Sequence, residues 1–454
     1  MVFSSTVFLF LFLPGLLLFY YGLTFHKRTL KNLVLLLFSL MFYAWGEPIF
    51  VFIMLASVFI NYFLALFIKG TYKKFFMILA IILDVGILIV YKYASFLSDI
   101  IFDLSGVQLL SEKIPLPIGI SFFTFQMMSY IFDIYYEKSQ ARKNPLDVAL
   151  YISLFPQLIA GPIVRYGDVE KEIDNRNESM SEFSDGVERF IYGLAKKVLI
   201  ANFLAQISDN VFGYIQNPSV LLAWLGALAY TGQIYFDFSG YSDMAIGLGL
   251  MFGFHFKENF NYPYMAVNVR DFWHRWHISL STWFRDYVYI PMGGSRVSAT
   301  RHIFNIFTVW LLTGIWHGAN WTFILWGLIY FAFLIFEKAF PKIKSHIYTM
   351  LVVIFAWVFF KSESVSDGVK YISSMLGLSG NLFCDFAFLD YVKNTWVVLI
   401  FALIGIFPVI PTLKSILEKY KCLWLEKLYL ILIALISIAE VVGSSYNPFI
   451  YFNF

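Results

Sequence analysis

The sequence predicts an all-α integral membrane protein of about eleven transmembrane helices, with re-entrant and amphipathic helices around a central funnel or tunnel. Three observations carry that expectation. Of 454 residues, 59% are hydrophobic and 14% charged, whereas soluble domains carry about 25% charged residues. Mean hydropathy is +0.71. Apolar runs near span length recur along the whole chain, and no polar stretch is long enough to hold a soluble core; the longest is Arg165 to Asp185. A net charge of +3 offers no basic field for nucleic acid. The aromatic content of 20% suits contact with lipid and the interfacial belts.

In chain order the runs cover 3–23, 30–45, 48–69, 75–92, 117–136, 148–164, 187–207, 220–238, 303–317, 321–337, 347–360, 395–411 and 428–446. A span needs about twenty apolar residues, so the shorter runs are expected to be tilted or re-entrant. The first run lacks a basic leader, is interrupted by Pro14-Gly15 and is followed at once by further spans, so it reads as a span and not as a cleavable signal. No internal repeat appears. The organisation expected is one membrane domain over 1–454: scaffold spans to 230, a polar catalytic core at 231–330, further spans at 331–446 and an aromatic tail at 447–454.

Lys and Arg in short loops set orientation. Lys27, Arg28 and Lys31 read as inside, which puts the N-terminus outside; Lys69, Lys73 and Lys74, and then Lys138, Arg142 and Lys143, follow at two-crossing intervals. Lys338, Lys342 and Lys344, and later Lys414, Lys419, Lys421 and Lys427, read as inside again, so 361–394 and the tail are expected outside. Cys384 and Cys422 fall on opposite sides and show no metal spacing, which argues against a disulfide.

The middle does not fit this two-sided scheme. Charged groups at the bilayer centre cost about 2.5–3.5 kcal/mol each, so they persist where they line a cavity, and irregular backbone at depth is tolerated only inside protein or beside water. "TGQIYFDFSGYSDMAIGLG" places Gln233, Asp237 and Asp243 among Gly and aromatic residues, and "NFNYPY" is a turn-rich break. "FWHRWHISLSTWFRDYVYIPMGGSR" then reads as an amphipathic helix over roughly Val269 to Val288, with Arg270, His274 and His277 on one face and Trp273, Trp276 and Trp283 toward another. The plain reading is an interfacial helix whose arginines snorkel. Against it, a third histidine, His317, lies between Trp316 and Trp321 in an otherwise uncharged run, and an ionisable group inside a membrane is a functional hypothesis by default.

Three chemistries suit such histidines. A metal site would take His274, His277 and His317, but an i,i+3 pair wants further ligands, and no metal is expected. A proton relay in a transporter would join them to Asp237 and Asp243. An acyl transferase would use a neutral imidazole as general base on a hydroxyl attacking a thioester.

"DFWHRWHISLSTWFRDYVYIPMGG" followed by "GIWHGANWTFILWG" resembles the membrane-bound O-acyltransferase family, in its bacterial branch that O-acetylates alginate and peptidoglycan. "LLFSLMFYAWGEP", "LPIGISFFTFQMMSYIFDIYY", "FPQLIAGPIVRY" and "QIYFDFSGYSDMAIGLGLMFGF" extend the likeness over most of the chain. The resemblance implies an O-acetyltransferase of the bacterial inner membrane. It would take acetyl from acetyl-CoA, with no bound cofactor, and serve O-acetylation of an extracytoplasmic polysaccharide, peptidoglycan favoured over alginate because the chain is short. It assigns His317 as the essential histidine and general base, and His277 as the second histidine, orienting His317 or polarising the thioester. His274 falls where many relatives carry arginine and is assigned to the tunnel lining with Trp273, Trp316, Asn320, Gln233 and Asp237. Arg285 and Asp286 are expected to hold their helix to its neighbours. The expected partners are an extracytoplasmic O-acetyltransferase of the SGNH type, membrane lipid and the polysaccharide. The alternatives are D-alanyl transfer to teichoic acid and a transporter with a proton-relay histidine.

The tail "NPFIYFNF" is aromatic and uncharged. An interfacial anchor explains it; a second reading folds it back toward the histidines. It resembles the aromatic C-terminal motif of bacterial envelope acylation systems, in which a tyrosine is proposed to carry the acyl group. By position that tyrosine is Tyr451.

Overall fold

A computed structural model describes residues 1–24, 27–213, 215–420, 422–444 and 446–450, and every regular element among them is helical. The chain divides into two compact units. One comprises Met1–Phe190 with Ser242–Lys257, the other Ile191–Tyr241 with Glu258–Phe454.

The first unit holds α1 (Phe8–Leu23), α2 (Arg28–Ala44), α3 (Phe50–Leu66), α4 (Gly70–Ser105) and α5 (Ile120–Tyr135). Their faces away from protein stay apolar, as at Leu11, Phe52 and Ile82, all exposed, which is what a lipid-facing surface requires. Inside, Phe3, Phe8, Phe12, Phe42 and Phe155 interlock, with Phe3 and Phe8 centred 5.0 Å apart. Polar groups within these helices turn to one another: Asn61 donates to Asp84 Oδ1 at 2.7 Å, and Lys92 Nζ to Ser121 Oγ at 2.9 Å.

The run at 148–164 does not cross, contrary to the simplest counting of apolar stretches. It is split into α6 (Pro145–Ser153) and the single turn α7 (Phe155–Leu158), after which the chain doubles back to α8 (Tyr166–Asp174). Gly161 makes the return possible, since a Cβ there would lie 2.5 Å from the Gln157 Cα. Gly119, at φ +75, lies under the same turn, where a Cβ would meet the Leu158 carbonyl at 2.8 Å. Ion pairs fix the outcome: Arg28 meets Glu178 and Arg142 meets Asp174, both at 2.6 Å. Segment 165–178 therefore lies on the same side as the basic loops that precede it. Glu172 pairs with His255 at 2.8 Å and Asp168 with Lys257, which brings 255–257 to that side as well.

Two further long helices are α9 (Met180–Gly213) and α10 (Val220–Met251). The second unit adds α11 (Val269–Arg275), α12 (Ile278–Phe284), α13 (Ala299–His317), α14 (Trp321–Ala339), α15 (His346–Lys361), α16 (Val365–Met375), α17 (Phe386–Gly405), α18 (Val409–Lys419) and α19 (Leu423–Gly443). Among the described residues four helices, α4, α9, α14 and α17, are long and apolar enough to span by length and composition, and α1, α3 and α15 are shorter apolar helices. That measure falls below the eleven expected: α2 and α5, at 17 and 16 residues, are short, and α10 and α13 interrupt their apolar runs with Asp237 and Asp243, and with Arg301 and His302.

α13 and α14 form a hairpin at very short range. A Cβ on Gly327 would lie 2.4 Å from the Trp310 carbonyl, and one on Gly314 2.6 Å from that of Phe323; small residues of this kind let helices pack backbone to backbone. The hairpin ends at His317, and Asn320 caps the return by accepting from the Thr322 N–H at 3.1 Å.

Candidate active site

The stretch 269–288 is two helices and not one. α11 ends at Arg275, Trp276 is extended, and His277 adopts φ 44, ψ 54 before α12 begins. The left-handed region is strained for a residue with a Cβ, at about 1–3 kcal/mol, and survives where surroundings over-determine it. Here Asn259 does so. Its main-chain carbonyl accepts from the Ile278 N–H at 2.9 Å, and its side-chain Oδ1 accepts from the Ser279 N–H and Oγ at 3.1 and 2.9 Å. The same Oδ1 lies 3.3 Å from His277 Nδ1. Facing a carbonyl oxygen, Nδ1 carries the ring proton, which leaves the lone pair on Nε2.

This break undoes the expected face of Arg270, His274 and His277. His277 is fully buried and His274 exposed. Trp273, on the inner side of α11, is buried and packs edge-on against Trp310 at 4.7 Å and Tyr330 at 4.9 Å.

His317, 3% exposed, closes α13 inside an aromatic box. Its ring lies 4.8 Å from Trp326, 5.1 Å from Phe360 and 4.9 Å from Trp316, each near edge-to-face. Trp316 also stands 5.9 Å from the ring of His277, and Phe238 meets His277 at 4.6 Å. The structure thus brings His277 and His317 to one aromatic wall and leaves His274 off it. Among the described residues no group of three or more His, Cys, Asp or Glu is assembled for a metal, so the three histidines form no ligand set.

The remaining expected positions each have their own surroundings. Gln233 is buried on α10. Asn320 is spent on capping α14 and donates to the Glu363 carbonyl at 2.9 Å. Asp237 is 2.8 Å from Lys197 Nζ, whereas Asp243, in the other unit, pairs with Arg189 at 2.8 Å; the two acids weighed for a relay have separate partners. Arg285, half exposed, pairs with its own neighbour Asp286 at 2.6 Å.

Residues 446–450 fold back against α9 and α10. The Ile450 N–H donates to Asp237 Oδ2 at 2.9 Å, Lys197 donates to the Pro448 carbonyl, and the Tyr446 hydroxyl donates to Asp209 at 2.6 Å. Lys361 pairs with the same Asp209 at 2.5 Å, so Tyr446 and the end of α15 meet at one carboxylate. Phe449 and Ile450 are buried. Tyr451 lies outside the described residues. Sequence reasoning passed over Lys197, Asn259 and Asp209. A lysine inside the run 187–207 was itself a signal; an asparagine in a turn-rich break was none.

A family model described as "MBOAT, membrane-bound O-acyltransferase family" matches residues 135–366. A Pseudomonas aeruginosa protein named "Probable alginate O-acetylase AlgI" is 44% identical over 83% of this chain and 75% of its own. The "Peptidoglycan O-acetyltransferase" of Helicobacter pylori is 33% identical over 100% of this chain and 98% of its own. The "Teichoic acid D-alanyltransferase" of Bacillus subtilis is 31% identical over 46% of this chain and 56% of its own.

Proposed function

The chain belongs to the membrane-bound O-acyltransferase family, and from that premise we propose that it takes acetyl from a cytoplasmic thioester and delivers it across the membrane. It is an O-acyltransferase, and its relatives place it in polysaccharide O-acetylation. The proposal adds the donor, the direction and the residues. The observation that carries it is the placing of His277 and His317 against the shared ring of Trp316.

In this reading the thioester of acetyl-CoA comes to His317 from the cytoplasmic side along a central tunnel. His317 removes the proton from the attacking hydroxyl, the oxygen adds to the carbonyl carbon, and the C–S bond breaks. The thiolate leaves as CoA, and its proton is returned by the imidazolium or by solvent. His277, oriented by Asn259, turns Nε2 toward the reacting groups. General base catalysis supplies about 10²–10⁴, and holding the reactants in line in a dry site supplies more. The attacking hydroxyl is that of Tyr451, borne on the folded-back tail. An SGNH-type partner outside the inner membrane then collects the acetyl for the polysaccharide.

Peptidoglycan is the acceptor put first, since the peptidoglycan relative aligns over 100% of this chain and 98% of its own. Alginate is a second reading, favoured by the higher identity to the alginate protein than to the peptidoglycan one. D-alanyl transfer is less supported, since that relative matches under half of the chain. The test is purified protein in vesicles with labelled acetyl-CoA, with oligomeric peptidoglycan and mannuronate acceptors offered with and without the partner. Release of CoA matched by acetyl on the protein or acceptor supports the proposal; passage of solutes without CoA release overturns it in favour of a transporter.

A further inference from the structure

Lys197 and Asp237 face each other inside the second unit at 2.8 Å, with side chains 4% and 2% exposed. A buried ion pair rarely stabilises a protein more than apolar residues of similar size would, so its presence calls for another use. Both members have the same second occupation. Lys197 donates to the Pro448 carbonyl, and Asp237 accepts the Ile450 N–H at 2.9 Å. Segment 446–450 lies outside any sheet, so its buried backbone groups need partners from elsewhere. The pair supplies two of them, and Asn202 supplies a third by donating to the Tyr446 carbonyl at 3.3 Å. Side-chain contacts fix the register. The Tyr446 hydroxyl reaches Asp209, and the Phe449 ring lies 5.0 Å from Tyr241 and 5.7 Å from the Lys197 ammonium.

Sequence neighbours of these anchoring groups pack on the histidines. Asp237 precedes Phe238, whose ring meets His277 at 4.6 Å. Lys361, which shares Asp209 with Tyr446, follows Phe360, whose ring meets His317 at 5.1 Å. Consecutive Cα atoms are 3.8 Å apart, so α10 and α15 each bring a ring to one histidine and, one residue away, a charged group to Ile450 or to the Asp209 that Tyr446 uses.

We infer that Lys197 and Asp237 are positioning residues that clamp the backbone of the tail beside the histidine pair, with Asp209 setting its register. The clamp addresses backbone atoms, the Pro448 carbonyl and the Ile450 N–H, and so holds this part of the tail whatever side chains those residues carry. Its part in turnover rests on the reading that the tail works at His317; its hold on the tail does not.

The test uses the full chain in detergent, in a cysteine-free background (Cys384→Ser, Cys422→Ser) with Ile450→Cys as the reporter, and follows maleimide alkylation beside labelled acetyl transfer. Lys197→Met/Asp237→Leu removes both charges and so leaves no lone buried ion. It should raise the alkylation rate about tenfold or more, as a locally opened segment does, whereas Lys197→Arg should keep the slow rate. Unchanged elution and melting would show the double variant to be folded. With the tail released, acetyl turnover should fall while the KM for acetyl-CoA holds. Release of the tail with normal turnover supports the clamp and overturns the carrier reading. A folded double variant that alkylates as slowly as the parent overturns the clamp, whatever Tyr451→Phe does.

Discussion

The indole of Trp316, next to last in α13, lies 5.9 Å from the imidazole of His277 and 4.9 Å from that of its own neighbour, His317. One residue type between two histidines makes a dry wall that both can use. Charge separation there would be poorly screened, so a proton is best moved over one short step, from hydroxyl to imidazole.

His317→Ala should lower acetyl transfer by about 10²-fold or more, the usual worth of a general base, with normal insertion and elution. CoA release by the purified variant measures it. Transfer near the parent rate would remove His317 from the role of base.

His277→Ala should damage transfer, and His274→Ala should leave it close to normal, because His277 is buried beside Asn259 while His274 is exposed. His277→Asn separates backbone from ring: asparagine tolerates φ 44 better than most residues. It should therefore recover stability without activity. Asn259→Ala removes the acceptor that orients the ring and should lower kcat more than it changes the KM for acetyl-CoA. Equal losses at His274 and His277 would point to a shared structural network.

Much of this was legible in the sequence, and the omissions have physical causes. His317 stood out because it is the single ionisable group in an apolar run, and Trp273 and Trp316 because large aromatics pack. The break at His277 was hidden: α11 and α12 each keep helical spacing, and the left-handed residue between them is held by Asn259, a partner from a distant turn. Apolar run length also misled at 148–164, where Gly161 lets the chain reverse and Arg28 and Arg142 draw the following segment back. Hydropathy records what is buried; it does not record where the chain turns.

Gly327→Val should destabilise the protein by about 1–3 kcal/mol, the cost of overpacking, since even a Cβ there would lie 2.4 Å from the Trp310 carbonyl. Because the same hairpin ends at His317, activity should fall with stability. Thermal unfolding and CoA release, measured together, check both; a variant as stable as the parent would mean that the hairpin can part without loss.

Acid stability should depend on Glu178, in the loop before α9. Burial opposes its charge, but hydrogen bonds from Arg28, Tyr20 and Lys31 outweigh that and hold the carboxyl down at about 2 from an ordinary 4.5. A depressed carboxyl stabilises the fold above its unfolded value and loses that contribution as pH falls through the folded one. Stability should therefore decline between about pH 4.5 and about pH 2. Glu178→Gln should be less stable at neutral pH and show a flatter decline. Parallel unfolding curves for parent and variant across that window would overturn the assignment.

Tyr451→Phe is the sharpest test of how acetyl leaves the site. The tail is held on its backbone at Pro448 and Ile450 and through the hydroxyl of Tyr446, so removing one phenol oxygen at 451 touches none of those bonds. An anchor would accept phenylalanine without cost. A carrier would not: without the oxygen no ester forms. An aryl ester is an activated donor, because a phenol of pKa about 10 leaves more readily than a sugar alkoxide. The variant should therefore express normally, bind its partner and fail to export acetyl, and mass spectrometry of the parent after incubation with acetyl-CoA should find one acetyl on the tail peptide. Normal polysaccharide acetylation by Tyr451→Phe would falsify the carrier and leave direct transfer from the histidine site to the partner.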